Sequence, residues 1–218
     1  MKLAILTANL GNFDTPVDPV SQYLEGVDSA FHRFTDENFP PITGLTPRLQ
    51  YRIPKLFGWQ MESGYDVYIW LDGSVSLVHP EAIKWLLDQM RDADCAFFKH
   101  PNRNTVKEEV EHVEAYLQKG NEYIVSRYKN GLHKEMYKEI LNDSNYTDNV
   151  LYASTAFIYR NNERVHDLMD TWWYYQSRYF TVDQIALPYA MYAAKVKVKK
   201  IDANVFNNQY IKLVSKHK

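Results

Sequence analysis

The chain has 218 residues, of which 45% are hydrophobic, and its 25 basic side chains nearly balance its 27 acidic ones. This length and apolar content suit one domain with a full hydrophobic core, or one domain with a small appendage. The net charge of -2 excludes the overall basic field that marks many nucleic-acid-binding proteins, although local basic patches remain compatible with it.

The single cysteine, Cys95, cannot form an internal disulfide and lies in an apolar run. A lone buried thiol is typical of a reducing compartment, so we expect a cytoplasmic protein. The apolar run at residues 3–7 is too short for a signal peptide and lacks a small-residue cleavage pattern. No other run is long enough to cross a bilayer, so we predict no membrane span.

Residues 3–7 predict a first strand, and the small, polar loop that follows contains Asn9 and Gly11. Such a loop could receive a nucleotide, with Thr7 and Asn9 as candidate contacts. The loop lacks the G-x-G-x-x-G fingerprint and the P-loop lysine, which argues against a Rossmann dehydrogenase and a P-loop NTPase. Residues 29–34 predict a second strand.

Thr46 and Pro47 predict the start of a helix, because a hydroxyl cap is followed by proline at the first helical position. Arg48, Arg52 and Lys55 recur along this helix at helical spacing. Three aligned cations could clamp a diphosphate. A solvated basic face explains the same pattern equally well.

Residues 67–71 are five apolar or aromatic residues in a row, rich in β-branched types, which predicts a strand that is buried on both faces of a parallel sheet. The strand ends at Asp72, Gly73 and Ser74. A carboxylate at the carboxyl end of a buried strand, followed by a glycine that permits a sharp turn, lies where open α/β sheets bind ligands. Alternatively, Asp72 only caps the turn that follows.

Polar and basic residues also follow the strand predicted at residues 94–99, namely Lys99, His100 and Arg103. We expect this strand to be the neighbour of the one that ends at Asp72. Helical segments extend from Thr105 to about residue 140. Residues 150–159 predict another buried strand, and its small residue Ser154 would permit close approach of a ligand.

Thr181 is expected to cap a last helix, which places Asp183 and Gln184 in its first turn. An acidic residue there could serve chemistry, or it could simply favour the helix dipole. Residues 195–201 predict an edge strand whose lysines discourage aggregation. The alternation of strands and helices predicts an α/β, Rossmann-like domain over residues 1–206, with a mostly parallel central sheet flanked by helices and a polar, basic tail at residues 207–218.

Several of these motifs, in this order, resemble a glycosyltransferase-like family that was formerly classed as a domain of unknown function and has plant cell-wall and mucilage members. The matching motifs are Thr7-Ala8-Asn9-Leu10-Gly11, Phe34-Thr35-Asp36-Glu37, Arg52-x-x-Lys55, Ile69-Trp70-Leu71-Asp72-Gly73, Lys99-His100-Pro101-x-Arg103, Tyr159-Arg160-Asn161, Trp172-Trp173 and Asp183-Gln184. The resemblance covers about residues 3–206. More distantly, the chain resembles GT-A nucleotide-sugar transferases, which implies a single GT-A-like domain.

The resemblance implies a metal-dependent transferase that takes a sugar from a nucleotide-diphosphate donor, preferably a UDP-sugar, to a hydroxyl of a glycan or another acceptor. Mn²⁺ or Mg²⁺ would be held by Asp72, Ser74 and a C-terminal histidine, His217. GT-A enzymes usually carry Asp-x-Asp, whereas the third position here is Ser74. The residues expected to contact the donor are Thr7, Asn9, Arg48, Arg52, Lys55, Asp72, Gly73, Lys99, His100, Arg103 and Ser154.

The resemblance also assigns catalytic positions to Asp183 and Gln184. In an inverting enzyme Asp183 would deprotonate the acceptor hydroxyl, whereas in a retaining one it would position the sugar. The sequence leaves this choice open.

Three other functions share some of these sequence features. Against a haloacid-dehalogenase-like phosphatase, Trp70 stands where its nucleophilic aspartate would be. A non-catalytic nucleotide-sugar or glycan-binding module would suit the missing second aspartate. A transferase acting on modified nucleic-acid bases would use the lysines of residues 195–200 to contact phosphates, although no other feature favours nucleic acid.

Overall fold

A computed structural model describes residues 1–215 of the chain. The strands form where the sequence is apolar and β-branched, and the central ones are buried along nearly their whole length. They are β1 (Lys2–Asn9), β2 (Asp28–Thr35), β3 (Val67–Asp72), β4 (Val75–Leu77), β5 (Cys95–Lys99), β6 (Tyr152–Arg160), β7 (Val198–Ile201) and β8 (Ile211–Leu213).

Seven helices connect these strands within residues 1–215. They are α1 (Pro47–Met61), α2 (Ala82–Met90), α3 (Val106–Gln118), α4 (Glu122–Tyr128), α5 (Leu132–Ile140), α6 (Glu163–Tyr179) and α7 (Asp183–Ala193). The predicted cap of α1 is confirmed, because the side chain of Thr46 accepts a hydrogen bond from the backbone N–H of Leu49 at 3.2 Å. Thr105 caps α3 in the same way, by accepting from Glu108 at 3.1 Å.

The six strands of the main sheet lie in the order β2-β1-β3-β6-β5-β7. Five of them run in one direction, and β6 runs antiparallel to both of its neighbours. The predicted α/β class, with a mostly parallel sheet flanked by helices, is confirmed. One expectation was wrong: β5 does not lie beside β3, because β6 is inserted between them.

Apolar side chains pack on both faces of this sheet and give a three-layer structure. One face is covered by α1, α3, α5, α6 and α7, and its core includes Leu56, Trp70 and Trp172. The other face is covered mainly by α2, through Ile83 and Leu86. The rigid sheet therefore fixes the positions of the strand ends that form the site described below.

The segment after residue 206 contributes to the fold, although the sequence suggested only a polar, basic tail. Within it, β8 pairs antiparallel with β4, and Ile211 is completely buried in the core. His217 lies outside the described residues. No helix within residues 1–215 has the length and apolar character needed to cross a membrane.

The packing of β8 predicts an unequal effect of two alanine substitutions in that strand. Ile211→Ala should lower the free energy of unfolding by about 2–5 kcal/mol, because it removes a fully buried side chain. Leu213→Ala, at a side chain that is 49% exposed, should change it by well under about 1 kcal/mol. Urea denaturation of both variants measures the difference, and equal effects would show that β8 does not dock as described.

Candidate active site

An open cleft of about 670 Å³ lies at the carboxyl ends of β1 and β3, with the first half of the antiparallel β6 in its floor. The helices α1, α4 and α7 contribute the rest of its walls. This is the place where open α/β sheets bind ligands, because strand ends and loops leave a crevice there. The volume is in the range of sites for nucleotides and other mid-sized ligands.

The floor of the cleft is organised around the ammonium group of Lys55, whose side chain is only 2% exposed. Its Nζ lies 3.1 Å from Oδ1 of Asp72 and 2.9 Å from Oδ2 of Asp183. A charge that is removed from water requires such partners, because its desolvation is otherwise very costly. Lys55 therefore ties α1 to the end of β3 and to the start of α7.

Oδ1 of Asp72 accepts two further hydrogen bonds, from the hydroxyl of Tyr51 at 2.8 Å and from Nε1 of Trp70 at 2.8 Å. Burial and the neighbouring Asp72 raise the pKa of Tyr51 well above its usual range, so its hydroxyl keeps its proton and donates. Three donors thus hold Oδ1 in place. Oδ2 takes no hydrogen bond from the described residues, and the Asp72 side chain lines the cleft.

Asp183 is held at least as firmly as Asp72. Its Oδ2 lies 2.8 Å from Nη1 of Arg52, and Ser154 contributes a side-chain hydrogen bond. Burial alone would raise the pKa of Asp183, but Arg52 and Lys55 outweigh burial and hold this pKa well below its usual range. Asp183 is therefore ionised at neutral pH and is a weak proton acceptor.

The expected cap of α7 was wrong. The residue at the cap position is Val182, which makes no side-chain cap bond. Thr181 is buried instead, and its backbone carbonyl accepts a 3.4 Å hydrogen bond from Nη2 of Arg52. The start of α7 is thus fixed by Arg52 through Thr181 and Asp183 rather than by a hydroxyl cap.

Arginine–aromatic pairs form the rim of the cleft. Arg48 lies 4.3 Å from the ring centroid of Phe180. On α4, Arg127 lies 3.9 Å from the ring centroid of Tyr123 and 5.6 Å from that of Phe13, which belongs to the loop after β1. These contacts place two guanidinium groups and several partly exposed rings beside the carboxylates, where bases, sugars or phosphates can stack or pair.

The residues around Asp72 fit a divalent cation that keeps most of its ligands as water and phosphate oxygens. Mg²⁺ in particular is commonly held by one or two carboxylates together with a substrate phosphate. Asp72 Oδ2 is available, and Ser74 also lines the cleft. A Cβ atom at Gly73 would lie 2.9 Å from Oδ2 of Asp14. The carboxylate of Asp14 is therefore a second carboxylate close to the turn that follows Asp72. Among residues 1–215 there is no group of three or more His, Cys, Asp or Glu side chains suited to a metal.

Most of the site residues predicted from the sequence meet in this cleft, namely Asn9, Arg48, Arg52, Lys55, Asp72, Gly73, Ser74, Ser154, Asp183 and Gln184. Thr7 lies apart, buried in β1 beside a narrow crevice that it shares with Val17 and Phe31. Lys99, His100 and Arg103 line a separate cleft, because β6 separates their strand from β3. His217, the predicted third metal ligand, is outside the described residues.

The sequence interpretation missed five residues that shape the cleft, namely Phe13, Asp14, Tyr51, Tyr123 and Arg127. One local signal was available for Tyr51, which lies one residue before Arg52 and four before Lys55 on the same helix. The other four depend on loops and on α4 folding back over the strand ends, for which the sequence offers no local pattern.

The ion pairs of Asp183 predict a large loss of stability in Asp183→Asn. The free energy of unfolding of this variant should be about 3 kcal/mol lower than that of the wild type, because Arg52 and Lys55 are left without their shared carboxylate. The pKa of Asp183 is lowered by folding, so its contribution is present above the unfolded-state pKa of about 4 and is lost as the pH falls further. The difference between wild type and variant should therefore shrink below about pH 4.

Chemical denaturation at pH 7 and at pH 3 measures both effects. Asp88→Asn is the matched control, because Asp88 forms an exposed pair with Lys84 and its loss should cost under about 1 kcal/mol. A variant of Asp183 as stable as the control would contradict the role assigned to these ion pairs.

Comparison with known proteins places the chain among glycosyltransferase-like domains. A search of curated proteins gave no match. Among solved structures, the crystal structure of A197 from STIV is 8% identical and has a TM-score of 0.39, with 93% of this chain and 82% of that chain covered, which is too distant to indicate a function. The family model of the TOD1/MUCI70, glycosyltransferase-like domain matches residues 45–218, which is most of the sequence. The chain therefore belongs to the TOD1/MUCI70 glycosyltransferase-like domain family.

Proposed function

We propose that this protein transfers a sugar from a nucleotide-diphosphate sugar, preferably a UDP-sugar, to a hydroxyl of a glycan or another acceptor. In this reaction the bond between the anomeric carbon and the diphosphate oxygen breaks, and a bond from that carbon to the acceptor oxygen forms. The nucleoside diphosphate departs with the electron pair of the broken bond, and the proton of the acceptor hydroxyl is released to water. The family supports the transferase class, and the geometry of the cleft supports the finer assignment.

The observation that carries the proposal is the set of fixed cations around two carboxylates, Asp72 at the end of β3 and Asp183 at the start of α7. Sugar transfer from a diphosphate builds negative charge on the leaving group, which preorganised positive groups stabilise. Lys55 and Arg52 are held in place by Asp72 and Asp183, and Arg48 and Arg127 stand on the rim. Because these groups are already oriented, little reorganisation is needed when the charge develops.

We propose that Asp72 and Ser74 hold Mg²⁺ or Mn²⁺, and that Asp14 assists from the other side of Gly73. When bound, the cation would neutralise charge on the diphosphate as a Lewis acid. The anchoring of Oδ1 by Tyr51, Lys55 and Trp70 fixes the direction in which Oδ2 points. This orientation is what a site with few protein ligands requires.

We assign Asp183 a positioning role, since it aligns Lys55 and Arg52 towards the diphosphate. Its lowered pKa makes it a poor base near neutral pH, where an efficient base has a pKa close to the working pH. Gln184 also lines the cleft and can donate and accept hydrogen bonds with sugar hydroxyls. Asn9 and Ser154 lie where they can contact the donor.

A thermal-shift screen against nucleotide sugars and free nucleoside diphosphates, with and without Mn²⁺, tests the proposal. A ligand that binds only the folded protein raises the melting temperature, and it stabilises by about 2.7 kcal/mol at a concentration 100 times its Kd. We expect a metal-dependent rise with uridine diphosphate in the wild type and its loss in Asp72→Asn. The Asp88→Asn variant should behave as wild type, because Asp88 is exposed on α2.

No rise with any nucleotide, in protein shown to be folded, would contradict the proposal. A rise without any turnover of the nucleotide sugar, with glycan acceptors present, would instead indicate a binding module with a degenerate site.

Gly73→Ala tests the close approach at the proposed metal site. The new methyl group would lie 2.9 Å from the backbone oxygen of Ala8 and 2.9 Å from Oδ2 of Asp14, so one of these groups must move. We expect the metal-dependent part of the thermal shift to fall at least several-fold. Gly26→Ala, at a position where a Cβ meets nothing within 4 Å, controls for the loss of a glycine. An unchanged metal response in Gly73→Ala would show that Asp14 and this turn do not contribute.

A further inference from the structure

A second cleft, of about 370 Å³, lies at the carboxyl ends of β5 and β7. One wall is the loop of residues 99–104, and the other is formed by residues 202–204. It opens on the same edge of the sheet as the first cleft, and the segment after β7 contributes to both: Asn204 lines the second cleft and Phe206 lines the first. The two clefts are therefore neighbours.

The hydrogen bonds of His100 determine which ring nitrogen carries its proton. The ring is 6% exposed, and its Nδ1 accepts hydrogen bonds from the backbone N–H groups of Asn102 at 3.2 Å and Arg103 at 3.0 Å. Burial and Arg103 lower the pKa of His100 to about 4, so the ring is neutral at pH 7. A neutral imidazole has one N–H, and since Nδ1 is an acceptor, Nε2 must be the donor.

Nε2 of His100 lies 3.0 Å from Nη2 of Arg103. The guanidinium is always protonated and has no acceptor, so two donors face each other at hydrogen-bond distance. Arg103 cannot easily turn away, because its Nε is bonded to the buried carboxylate of Glu109. Two donors that face each other without an acceptor repel, and an oxygen that binds from the cleft would accept from both.

The other residues that line the second cleft indicate the chemical class of the ligand that supplies this oxygen. Lys99 adds an ammonium group, and the amides of Asn102, Asn104 and Asn204 add neutral donors. Asp202 is the one acidic residue among the described residues that line the cleft. Guanidinium, ammonium and imidazole N–H groups together favour an anionic acceptor with more than one oxygen.

We propose that this second cleft binds a carboxylate or phosphate group of the acceptor, so that the acceptor is an acidic molecule. The oxyanion accepts from Nε2 of His100, Nη2 of Arg103 and Nζ of Lys99. That this anion belongs to the acceptor rests on the proposed transferase function, whereas the oxyanion site itself rests only on the geometry of the hydrogen-bond donors. Phe206, which is partly exposed and lines the first cleft, would lie beneath the part of the acceptor that reaches the donor.

Titration of isotopically labelled protein, followed by NMR, tests this inference without any turnover. The probes are inorganic phosphate and glucuronate, with glucose as the uncharged control, and the signals are the backbone amides of residues 99–104 and 202–204. We expect saturable shifts with at least one anion and none with glucose. Phosphate alone would indicate a phosphorylated acceptor, and glucuronate would indicate a carboxylated one. The pKa of His100 should rise when the anion is bound, because a nearby negative charge favours the imidazolium form.

Two variants separate the site from unspecific charge effects. His100→Asn keeps a side-chain oxygen that can accept from the backbone N–H groups and removes Nε2, and Lys99→Gln removes the ammonium charge. Each should weaken anion binding about tenfold or more. Lys107→Gln, at an exposed lysine of α3 outside the cleft, should leave the binding unchanged.

Wild-type affinity in His100→Asn, or equal binding of glucose and the anions, would overturn the inference. Uridine diphosphate is titrated in parallel and is monitored at the amides of residues 8–14 in the first cleft. If it binds there while neither anion binds the second cleft, this inference fails and the proposed function stands. If the anions bind as expected and no nucleotide binds, the oxyanion site stands and the proposed function fails.

Discussion

The burial of the Lys55 ammonium group is the constraint on which the candidate active site depends. A cation that is 2% exposed must be compensated, and the compensation here comes from one carboxylate on β3 and one at the start of α7. In the sequence, Asp72 lies 17 positions after Lys55, and Asp183 lies 128 positions after it. A single buried charge therefore holds three elements in register around the cleft, and Arg52 adds a second cation to the same carboxylate of Asp183.

The fold could be predicted well from local patterns, because most elements carry their own signals. Buried apolar runs marked β1, β3, β5 and β6, and hydroxyl caps marked the starts of α1 and α3. The order of the strands in the sheet could not be read in this way. The insertion of the antiparallel β6 between β3 and β5 is a long-range pairing, and β8 has only three residues, of which one is buried.

The contrast between local patterns and long-range contacts also explains which features of the candidate active site could be predicted. Asp72, Lys55, Arg52 and Asp183 were identified because each stands at a recognisable place, the end of a strand or the first or middle turns of a helix. Their mutual ion pairs could not be identified, since these depend on how α1 and α7 pack across the sheet. Lys99, His100 and Arg103 were assigned to the donor on the assumption that β5 lies beside β3. The topology moves them to a cleft of their own.

The electrostatics of the two clefts lead to different expectations for their ligands. On the floor of the first cleft Lys55 and Arg52 are paired with carboxylates, so an incoming diphosphate must compete for groups that are already satisfied, and a metal beside Asp72 would offset that competition. In the second cleft the donors of His100 and Arg103 face each other, so an oxyanion relieves an existing conflict. A ligand for the second cleft therefore needs no accompanying cation, whereas a diphosphate in the first cleft gains from one. This difference is why metal dependence should be a property of donor binding and not of anion binding beside β5.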